Sequence, residues 1–290
     1  MVNDLTYSYV RSGEWKLKVL AGAWSGDLWH QVLRMIRSRV PSEHPQTMAF
    51  RFPENDSGSR FFLKVYHPQS GIATWKNLLQ ESKGFRFLRQ DLALTSAGFH
   101  VPRVIATGEE RSHRLLRCAF VLTLEISGEV LPIFLRRHLI EHPGRIALAE
   151  KRAAVAALAR QIRRLHELGF VHGDLVPSNI MVSIPDGTGL KFYLMDHDRT
   201  RRYPPWWPQK MWKRNLIQLN RVPLPGISLQ DRMRFFRAYS GRGDWSRTNR
   251  ALLRWLEKKT RKRRKECDAA DLDVSFRRLM RWDRGLVDNG

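Results

Sequence analysis

Apolar and polar residues alternate along the first part of the chain in patterns that predict β-strands. Residues 15–20 alternate apolar with basic residues, as in a strand with one buried face. Residues 48–52 and 60–66 show a clearer strand pattern and are joined by a polar turn at 53–58. Residues 28–36 fit either a strand or a short helix. The N-terminal region is therefore expected to be rich in β-structure.

After residue 66 the spacing of apolar residues becomes helical, and it then returns to a strand pattern. Residues 75–94 place Trp and Leu side chains near one face and predict a helix that ends at the Gly98–Pro102 segment. Two strands are predicted after it, at 103–107 and 115–125.

Beyond these strands the pattern is mainly helical. Residues 145–168 carry one apolar stripe among Arg and Lys residues and end at Gly169, which predicts a long amphipathic helix. Two further helices are predicted at 232–239 and 249–256.

The long helix leads into the stretch that carries most of the candidate chemistry. His172, Asp174 and Asn179 follow the order H-x-D-x-x-x-x-N, and a second apolar strand ends at Asp196. This is the arrangement of a kinase catalytic loop followed by a metal-binding strand. The loop motif alone arises by chance in unrelated chains, but the helix, the two strands and the final aspartate meet independent requirements in the right order.

Each of these residue types has a chemical reason. Phosphoryl transfer needs one carboxylate at the acceptor hydroxyl, and Asp174 is predicted to orient that hydroxyl or accept its proton. Asn179 and Asp196 are predicted metal ligands, brought together by a hairpin with its turn at 186–187. His172, the other candidate for the catalytic loop, is expected to support the loop rather than react.

Four further positions follow from the same kinase order. Lys64 lies in the strand RFFLKVY, where a kinase places the lysine that binds the α- and β-phosphates of ATP, and Glu81 is its predicted carboxylate partner. The alternative interpretation of each is a solvent-facing residue of a strand or a helix. The adenine-binding hinge is located by order alone, at 124–128. The segment before Lys64 that should cover the phosphates, 37–47, has Ser and Pro in place of a glycine-rich loop.

Composition limits the class of protein. A chain of 290 residues with 42% hydrophobic content can bury a sizeable core. The two cysteines, Cys118 and Cys267, are far apart and form no disulfide or zinc motif, which fits a reducing compartment. The sequence contains no signal peptide pattern and no long apolar run, so we expect a cytoplasmic protein.

The charge is strongly positive and unevenly placed. The formal net charge is +23, and residues 199–290 hold 25 Lys and Arg against 9 Asp and Glu, a net +16. Such a field attracts nucleic acid, anionic lipid headgroups or phosphorylated saccharides. The basic run 258–265 is either a solvated helix end or a membrane-binding surface. Aromatic and basic residues also alternate through 203–214, which suits sugar stacking or a membrane interface, although some of these tryptophans are expected in the core.

The segments HGDLVPSNIMV, YLMDHDRTRR, RFFLKVY and MWKRNLIQLNR resemble the lipopolysaccharide kinase (Kdo/WaaP) family, over about residues 48–256. The D-x-D-R sequence of Asp196, Asp198 and Arg199 is the most specific part, and Asp198 and Arg199 are possible supporting residues. The resemblance implies ATP and Mg²⁺ as cofactors, with Lys64 and Glu81 binding ATP. It implies a heptose or Kdo hydroxyl of the lipopolysaccharide inner core as the acceptor, at the cytoplasmic face of the inner membrane.

The resulting expectation is an α+β, bilobal protein-kinase-like fold. Residues 1–126 form a small β-rich N-lobe with one helix, and residues 127–290 form a larger, mainly helical C-lobe that carries the catalytic loop, the metal site and a basic surface facing acceptor and membrane. The alternatives are a kinase for a small molecule resembling an aminoglycoside or choline, and an atypical protein kinase. A pseudokinase or nucleic-acid-binding module is the remaining class, and a nucleic-acid partner is not expected.

Overall fold

The computed structural model describes residues 6–38, 47–52, 60–67, 81–144, 146–184, 189–204, 206, 211–241 and 247–269. The turns expected at 53–58 and 186–187 lie outside the described residues. So do most of the segment 37–47 and the first part of the predicted helix 75–94.

The first half of the chain is built from strands with two helices. In order, its elements are β1 (Tyr7–Ser12), β2 (Trp15–Leu20), α1 (Gly26–Ser38), β3 (Thr47–Phe52), β4 (Phe61–Tyr66), α2 (Lys83–Ser96), β5 (Val104–Ser112), β6 (Leu115–Leu124) and the short β7 (Glu129–Val130). The predicted strands at 15–20, 48–52, 60–66, 103–107 and 115–125 are confirmed within one or two residues, except that β5 continues to Ser112.

The second half is mainly helical. Its elements are α3 (Leu131–Arg136), α4 (Leu148–Glu167), β8 (Phe170–Val171), β9 (Ile180–Ser183), β10 (Lys191–Leu194), β11 (Arg201–Arg202), α5 (Trp212–Leu219), α6 (Leu229–Ser240) and α7 (Arg247–Ala269). The three predicted helices are present as α4, α6 and α7. Helix α7 runs on through the basic sequence that follows 249–256, so the basic run is helical as far as Lys265.

Chain contacts divide the described structure into two compact units. Unit 1 comprises residues 1–129 and 181–201, and unit 2 comprises 130–180 and 202–290. The segment 181–201, which includes Asp196, packs with the first unit. The division into lobes after residue 126 stays a prediction from the sequence. The fold is mixed, with a β-sheet N-terminal region and a helical C-terminal region.

Unit 1 is organised around a six-stranded antiparallel sheet with the strand order β1-β2-β5-β6-β4-β3. Lys64 of β4 lies opposite Val121 of β6 in the register of the sheet. The strands β10, β9 and β7 form a second, three-stranded sheet.

Helix α1 covers part of the main sheet and resolves the ambiguity at 28–36. Leu28, Trp29, Val32 and Ile36 are buried, which is one face of a helix and not the alternation of a strand. Trp29 stacks on Phe120 of β6, with 6.0 Å between ring centroids. Tertiary burial of this stripe therefore selects the helix.

Helix α2 begins at Lys83, and the described residues 81 and 82 before it are not helical. Ser82 is the N-cap, and its hydroxyl oxygen accepts a hydrogen bond from the Phe85 N–H at 3.3 Å. The predicted helix 75–94 is therefore wrong at 81–82. The apolar residues keep a helical spacing on both sides of Ser82, so the sequence pattern does not show where the helix begins.

In unit 2, α4 packs along α6, and α5 packs against α7. Ser228 and Asp231 form a capping box at the start of α6. None of the described helices combines the length and the apolarity needed to cross a membrane.

Candidate active site

Lys64 and Asp196 form an ion pair in unit 1. Lys64 Nζ lies 2.5 Å from Asp196 Oδ1. The lysine side chain is 18% exposed and the aspartate side chain is 40% exposed, so the pair is open to solvent from the aspartate side. Two residues that lie 132 positions apart in sequence, both selected from the sequence as candidates, are thus in direct contact.

The backbone at Asp196 has the left-handed conformation, with φ 52° and ψ 48°. Only a few per cent of non-glycine residues have a positive φ, and such residues are concentrated at functional sites. The turn lets the chain leave β10 and enter a short 3₁₀ helix, His197–Arg199, directly after the aspartate. The conformation supports a special role for this carboxylate.

Glu81 does not contact Lys64 in this structure. It precedes the Ser82 cap of α2, and its carboxylate forms an ion pair with Arg89, Oε2 to Nη1 at 3.0 Å. In this structure Lys64 pairs with Asp196 and Glu81 pairs with Arg89, so the expected contact of Lys64 with Glu81 is not formed. The physical reason is the late start of α2, which leaves Glu81 outside the helix.

Helix α2 contributes a different carboxylate, Asp91, which the sequence analysis did not select. Asp91 Oδ1 lies 3.4 Å from His197 Nε2, and both side chains are fully buried. Burial raises the pKa of Asp91, and the hydrogen bond and charge of His197 oppose that rise. The ring of Phe87 packs on His197 with 4.1 Å between centroids. The turn that carries Asp196 is therefore attached to α2 through its next residue.

Asp198 and Arg199 complete the D-x-D-R sequence. Asp198 is buried, and burial together with the charge of Asp196 raises its pKa, although Lys64, Arg199 and Lys83 act in the opposite direction. Arg199 is exposed.

The catalytic loop forms a separate hydrogen-bonded group in unit 2. The Asp174 N–H donates to His172 Nδ1 at 3.1 Å, and His172 is 1% exposed. Asn179 Nδ2 donates to the Asp174 carbonyl at 2.9 Å, which directs the amide oxygen of Asn179 away from that bond. His172 thus contacts the backbone of the loop, as expected for a supporting residue.

Two side chains of α5 hold this loop, and no local sequence pattern predicts either role. Gln218 Nε2 donates to Asp174 Oδ1 at 3.1 Å, and Gln218 Oε1 accepts from the Leu175 N–H at 3.3 Å. Asn215 bonds both backbone groups of His172: its amide oxygen accepts from the N–H at 3.0 Å, and its amide nitrogen donates to the carbonyl. The only sequence signal was their place in the MWKRNLIQLNR segment.

Behind α5 lies a buried polar contact that supports it. His166 Nε2 lies 3.2 Å from Asn215 Oδ1, and His166 Nδ1 lies 2.9 Å from the Tyr239 hydroxyl. Burial lowers the pKa of His166 to about 4, against a smaller opposing effect of the Asn215 hydrogen bond. The imidazole is therefore neutral near pH 7, donating from Nε2 and accepting at Nδ1.

The residues fit ATP with Mg²⁺ better than they fit a protein-only metal site. Among the residues that the structure describes, no three His, Cys, Asp or Glu side chains are grouped to hold a metal ion. Mg²⁺ in nucleotide sites takes one or two protein oxygen ligands and fills its other positions with phosphate oxygens and water. In unit 1, the Asp196 carboxylate has the chemistry of such a ligand and the Lys64 ammonium that of a phosphate partner. In unit 2, the Asn179 amide oxygen has the chemistry of such a ligand.

The aromatic and basic residues of the C-terminal third are divided between core and surface. Trp212 is partly buried and packs with Tyr239 and His166, with 6.1 Å between ring centroids in each pair. Trp255 of α7 is 38% exposed and lies close to two lysines: Lys213 Nζ and Lys259 Nζ lie 5.4 and 5.9 Å from its ring centroid.

Two features of this structure are typical of kinases. One is a lysine paired with an aspartate that follows an apolar strand, and the other is an aspartate held in an H-x-D-x-x-x-x-N loop. Residues 75–239, more than half of the chain, match the sequence profile of the lipopolysaccharide kinase (Kdo/WaaP) family. The chain belongs to this family, and it is a kinase.

Structural comparison agrees in fold. A solved structure, WaaP in complex with acyl carrier protein, is similar to this chain over 90% of each chain, with a TM-score of 0.57 and 20% sequence identity. At that identity the likeness shows a shared kinase-like fold. Comparison with curated proteins gives no match.

Proposed function

We propose that this kinase transfers the γ-phosphate of ATP to a heptose or Kdo hydroxyl of the lipopolysaccharide inner core. The observation that carries the proposal is the fixed Asp174 carboxylate, held by Gln218 in a loop that Asn179 closes, within a chain of the lipopolysaccharide kinase family. A fixed carboxylate is what an incoming sugar hydroxyl requires.

In the proposed reaction, Asp174 orients the acceptor hydroxyl and takes its proton as the new oxygen–phosphorus bond forms. The bond from the γ-phosphorus to the bridging oxygen breaks, and the electron pair leaves with ADP. Mg²⁺, when bound, neutralises charge on the phosphates. Asn179 and Asp196 are the residues that would supply its protein ligands.

Lys64 has two roles in this proposal. Without nucleotide it neutralises Asp196. With nucleotide it binds the α- and β-phosphates, and Asp196 becomes available to the metal. Glu81 has no part in this exchange, because Arg89 holds it. His172 maintains the loop, and Asp198 and Arg199 support the charge balance around Asp196.

The test is transfer of labelled phosphate from ATP with Mg²⁺ to deacylated inner-core lipopolysaccharide. Asp174→Asn keeps the shape of the side chain and removes its negative charge, and we expect it to lower kcat by about a hundredfold or more. Glu150→Gln, an exposed residue of α4, is the matched control with unchanged rate.

Phosphate transfer to an aminoglycoside, choline or a protein in place of the core saccharide would overturn the acceptor assignment and favour one of the other kinase classes. No transfer to any acceptor, together with tight, salt-sensitive nucleic-acid binding, would favour the non-enzymatic class.

We also propose that α7 binds the anionic surface of the inner membrane on its cytoplasmic side, where ATP is available. Exposed cations recur along one side of α7, at Arg250, Arg254, Lys258 and Lys262, and the exposed Trp255 lies beside them. Leu256 and Thr260 face the protein and are buried. An indole among cations is the composition of a helix that lies in a membrane interface.

Sedimentation with vesicles tests this surface. Vesicles that contain anionic lipid should bind the protein, and Arg254→Glu/Lys258→Glu should abolish binding. The control is Arg152→Glu/Arg160→Glu, which makes the same charge change on exposed residues of α4. Equal binding by the two double variants would contradict the proposed surface.

Acyl carrier protein is a further proposed partner, because the similar WaaP structure is a complex with it. Gel filtration of a purified mixture tests this proposal, and separate elution of the two proteins would contradict it.

A further inference from the structure

We propose that Lys83 and Arg86, at the start of α2, form a second phosphate-binding group with Lys64 and the Tyr66 hydroxyl, so that α2 side chains hold the polyphosphate of the nucleotide. The proposal rests on the proposed function and goes beyond it, because the kinase order assigns phosphate binding to Lys64 and not to α2. The four residues lie in unit 1 and are called here the α2 cradle.

Tyr66 is the centre of the cradle. The Nζ atoms of Lys64 and Lys83 lie 5.4 and 5.6 Å from the centroid of its ring. The two ammonium groups therefore converge on one aromatic side chain, although their residues come from a strand and from the helix that follows it. Lys64 also contacts Asp196, so Lys83 lies in the neighbourhood of the proposed metal ligand.

The Tyr66 hydroxyl is evidence that a ligand binds here. Tyr66 is 4% exposed, and its hydroxyl has no hydrogen-bond partner among the described residues. The buried Arg86 Nε likewise has no hydrogen-bond partner among those residues. A buried polar group without a hydrogen-bond partner destabilises the folded protein, so an oxygen-rich anion that accepts hydrogen bonds from both groups would remove that cost.

The start of α2 holds Lys83 firmly in place. A Cβ atom at Gly84 would lie 2.6 Å from Thr107 Oγ1 and 2.7 Å from the Phe120 carbonyl, so only glycine allows this close approach of helix and sheet. Ser82 caps the same turn. The lysine beside this glycine is thus attached to a fixed backbone.

The charges of the cradle favour an anion. Burial lowers the pKa of Lys83, Asp198 opposes this, and the cations Arg199, Arg86 and Lys64 lower it further. The two nearby carboxylates, Asp196 and Asp198, do not offset these four cations. Once Asp196 serves a metal, the excess of positive charge grows, and a polyphosphate is the chemical class that matches it.

Equilibrium binding of ATP tests the cradle, with inorganic tripolyphosphate as a competitor that lacks base and sugar. We expect tripolyphosphate to displace ATP from the native protein. Lys83→Gln should raise the Kd for ATP at least tenfold, and Arg86→Gln should raise it less. Lys83→Arg should retain the native affinity, because it keeps the charge. Lys16→Gln changes an exposed lysine of β2 in the same sheet and should leave the Kd unchanged.

A Kd for the Lys83→Gln variant within twofold of native, or a failure of tripolyphosphate to compete, would overturn the proposal, and the second result needs no variant. The two proposals fail separately. Native protein that binds ATP through the cradle but phosphorylates no core saccharide would overturn the acceptor alone, whereas full saccharide transfer by Lys83→Gln at native KM for ATP would overturn the cradle alone.

Discussion

Asp91 of α2 and His197, the residue after Asp196, form a buried pair with 3.4 Å between carboxylate oxygen and ring nitrogen. The pair connects the helix to the turn that carries the proposed metal ligand. Burial of either group without the other would destabilise the folded protein. Asp91 contacts no proposed reacting group and is therefore a positioning residue.

Removing the carboxylate should disturb that turn. We expect Asp91→Ala to lower kcat at least tenfold with a small change in the KM for the acceptor, because Asp196 loses its support while the acceptor site is retained. The same change should lower the free energy of unfolding by about 3 kcal/mol, since it leaves a cavity and a buried imidazole without its partner.

Asp91→Asn is the informative companion variant, because burial already raises the pKa of Asp91 and the amide can still accept a hydrogen bond from His197. It should retain most of the native kcat. Steady-state kinetics and denaturant unfolding of both variants provide the measurement, and a folded Asp91→Ala enzyme with native kcat would contradict the positioning role.

The ion pair of Lys64 and Asp196 makes a prediction about metal dependence. Asp196→Asn should lower transfer by about a hundredfold or more, because the metal loses a charged ligand. In the absence of Mg²⁺ the same variant should bind ATP as well as the native protein or better, because Lys64 is released from a competing carboxylate. Calorimetric titration with and without Mg²⁺ measures both effects. Weaker metal-free binding by the variant would show that Asp196 does not compete for Lys64.

Gln218 is expected to determine the orientation of Asp174. Gln218→Ala removes a hydrogen bond to the Asp174 carboxylate and should lower kcat by about tenfold, which corresponds to about 1.4 kcal/mol, with KM values near native. Gln230→Ala, an exposed glutamine at the start of α6, is the control. A change in the KM for ATP with kcat preserved would assign Gln218 a different role.

The lowered pKa of His166 predicts how the free energy of unfolding depends on pH. The unfolded imidazole binds a proton near its ordinary pKa of 6.5, whereas the folded one does so near about 4. Between these values the unfolded chain binds more protons, so the free energy of unfolding should fall as the pH drops from about 6.5 to about 4, by on the order of 3 kcal/mol in full.

Denaturant unfolding at about pH 7.5 and at about pH 5 measures this loss of stability. A spectroscopic probe placed near Trp212 reports the unfolding of unit 2. His166→Gln should be less stable at the higher pH and should show a smaller loss on acidification. An equal pH dependence in variant and native protein would assign the effect to other groups.

The kinase loop could be predicted because its chemistry restricts residue type and spacing together. Asp174 and Asn179 lie five residues apart, and Asn179 Nδ2 bonds the Asp174 carbonyl, a local contact that spacing encodes. The contact of Lys64 with Asp196 is distant in sequence, and it was accessible only because the order of kinase elements is known.

The missed residues share one property, which is that their roles depend on tertiary contacts. Asn215 and Gln218 stand in an ordinary amphipathic helix, and no local pattern shows that they bond residues more than 40 positions away. The position of Asp91 in the helical pattern of α2 predicts a solvent-exposed side chain, but the structure buries that side chain. Glu81 was selected because it is the acidic residue of the right segment, but the cap at Ser82 places it outside the helix.

The discontinuous course of unit 1 has a consequence for synthesis. Residues 181–201 belong to unit 1, whose first segment ends at residue 129, and 51 residues of unit 2 are made between the two segments. A growing chain that has completed the sheet still lacks Asp196 and His197, so Lys64 and Asp91 must wait for their partners until the ribosome has passed residue 201. Contacts of such long sequence separation form slowly. The ion pair of Lys64 and Asp196 is therefore expected among the last native interactions of unit 1 to appear during biosynthesis, and a product that stalls before residue 196 lacks the proposed metal ligand.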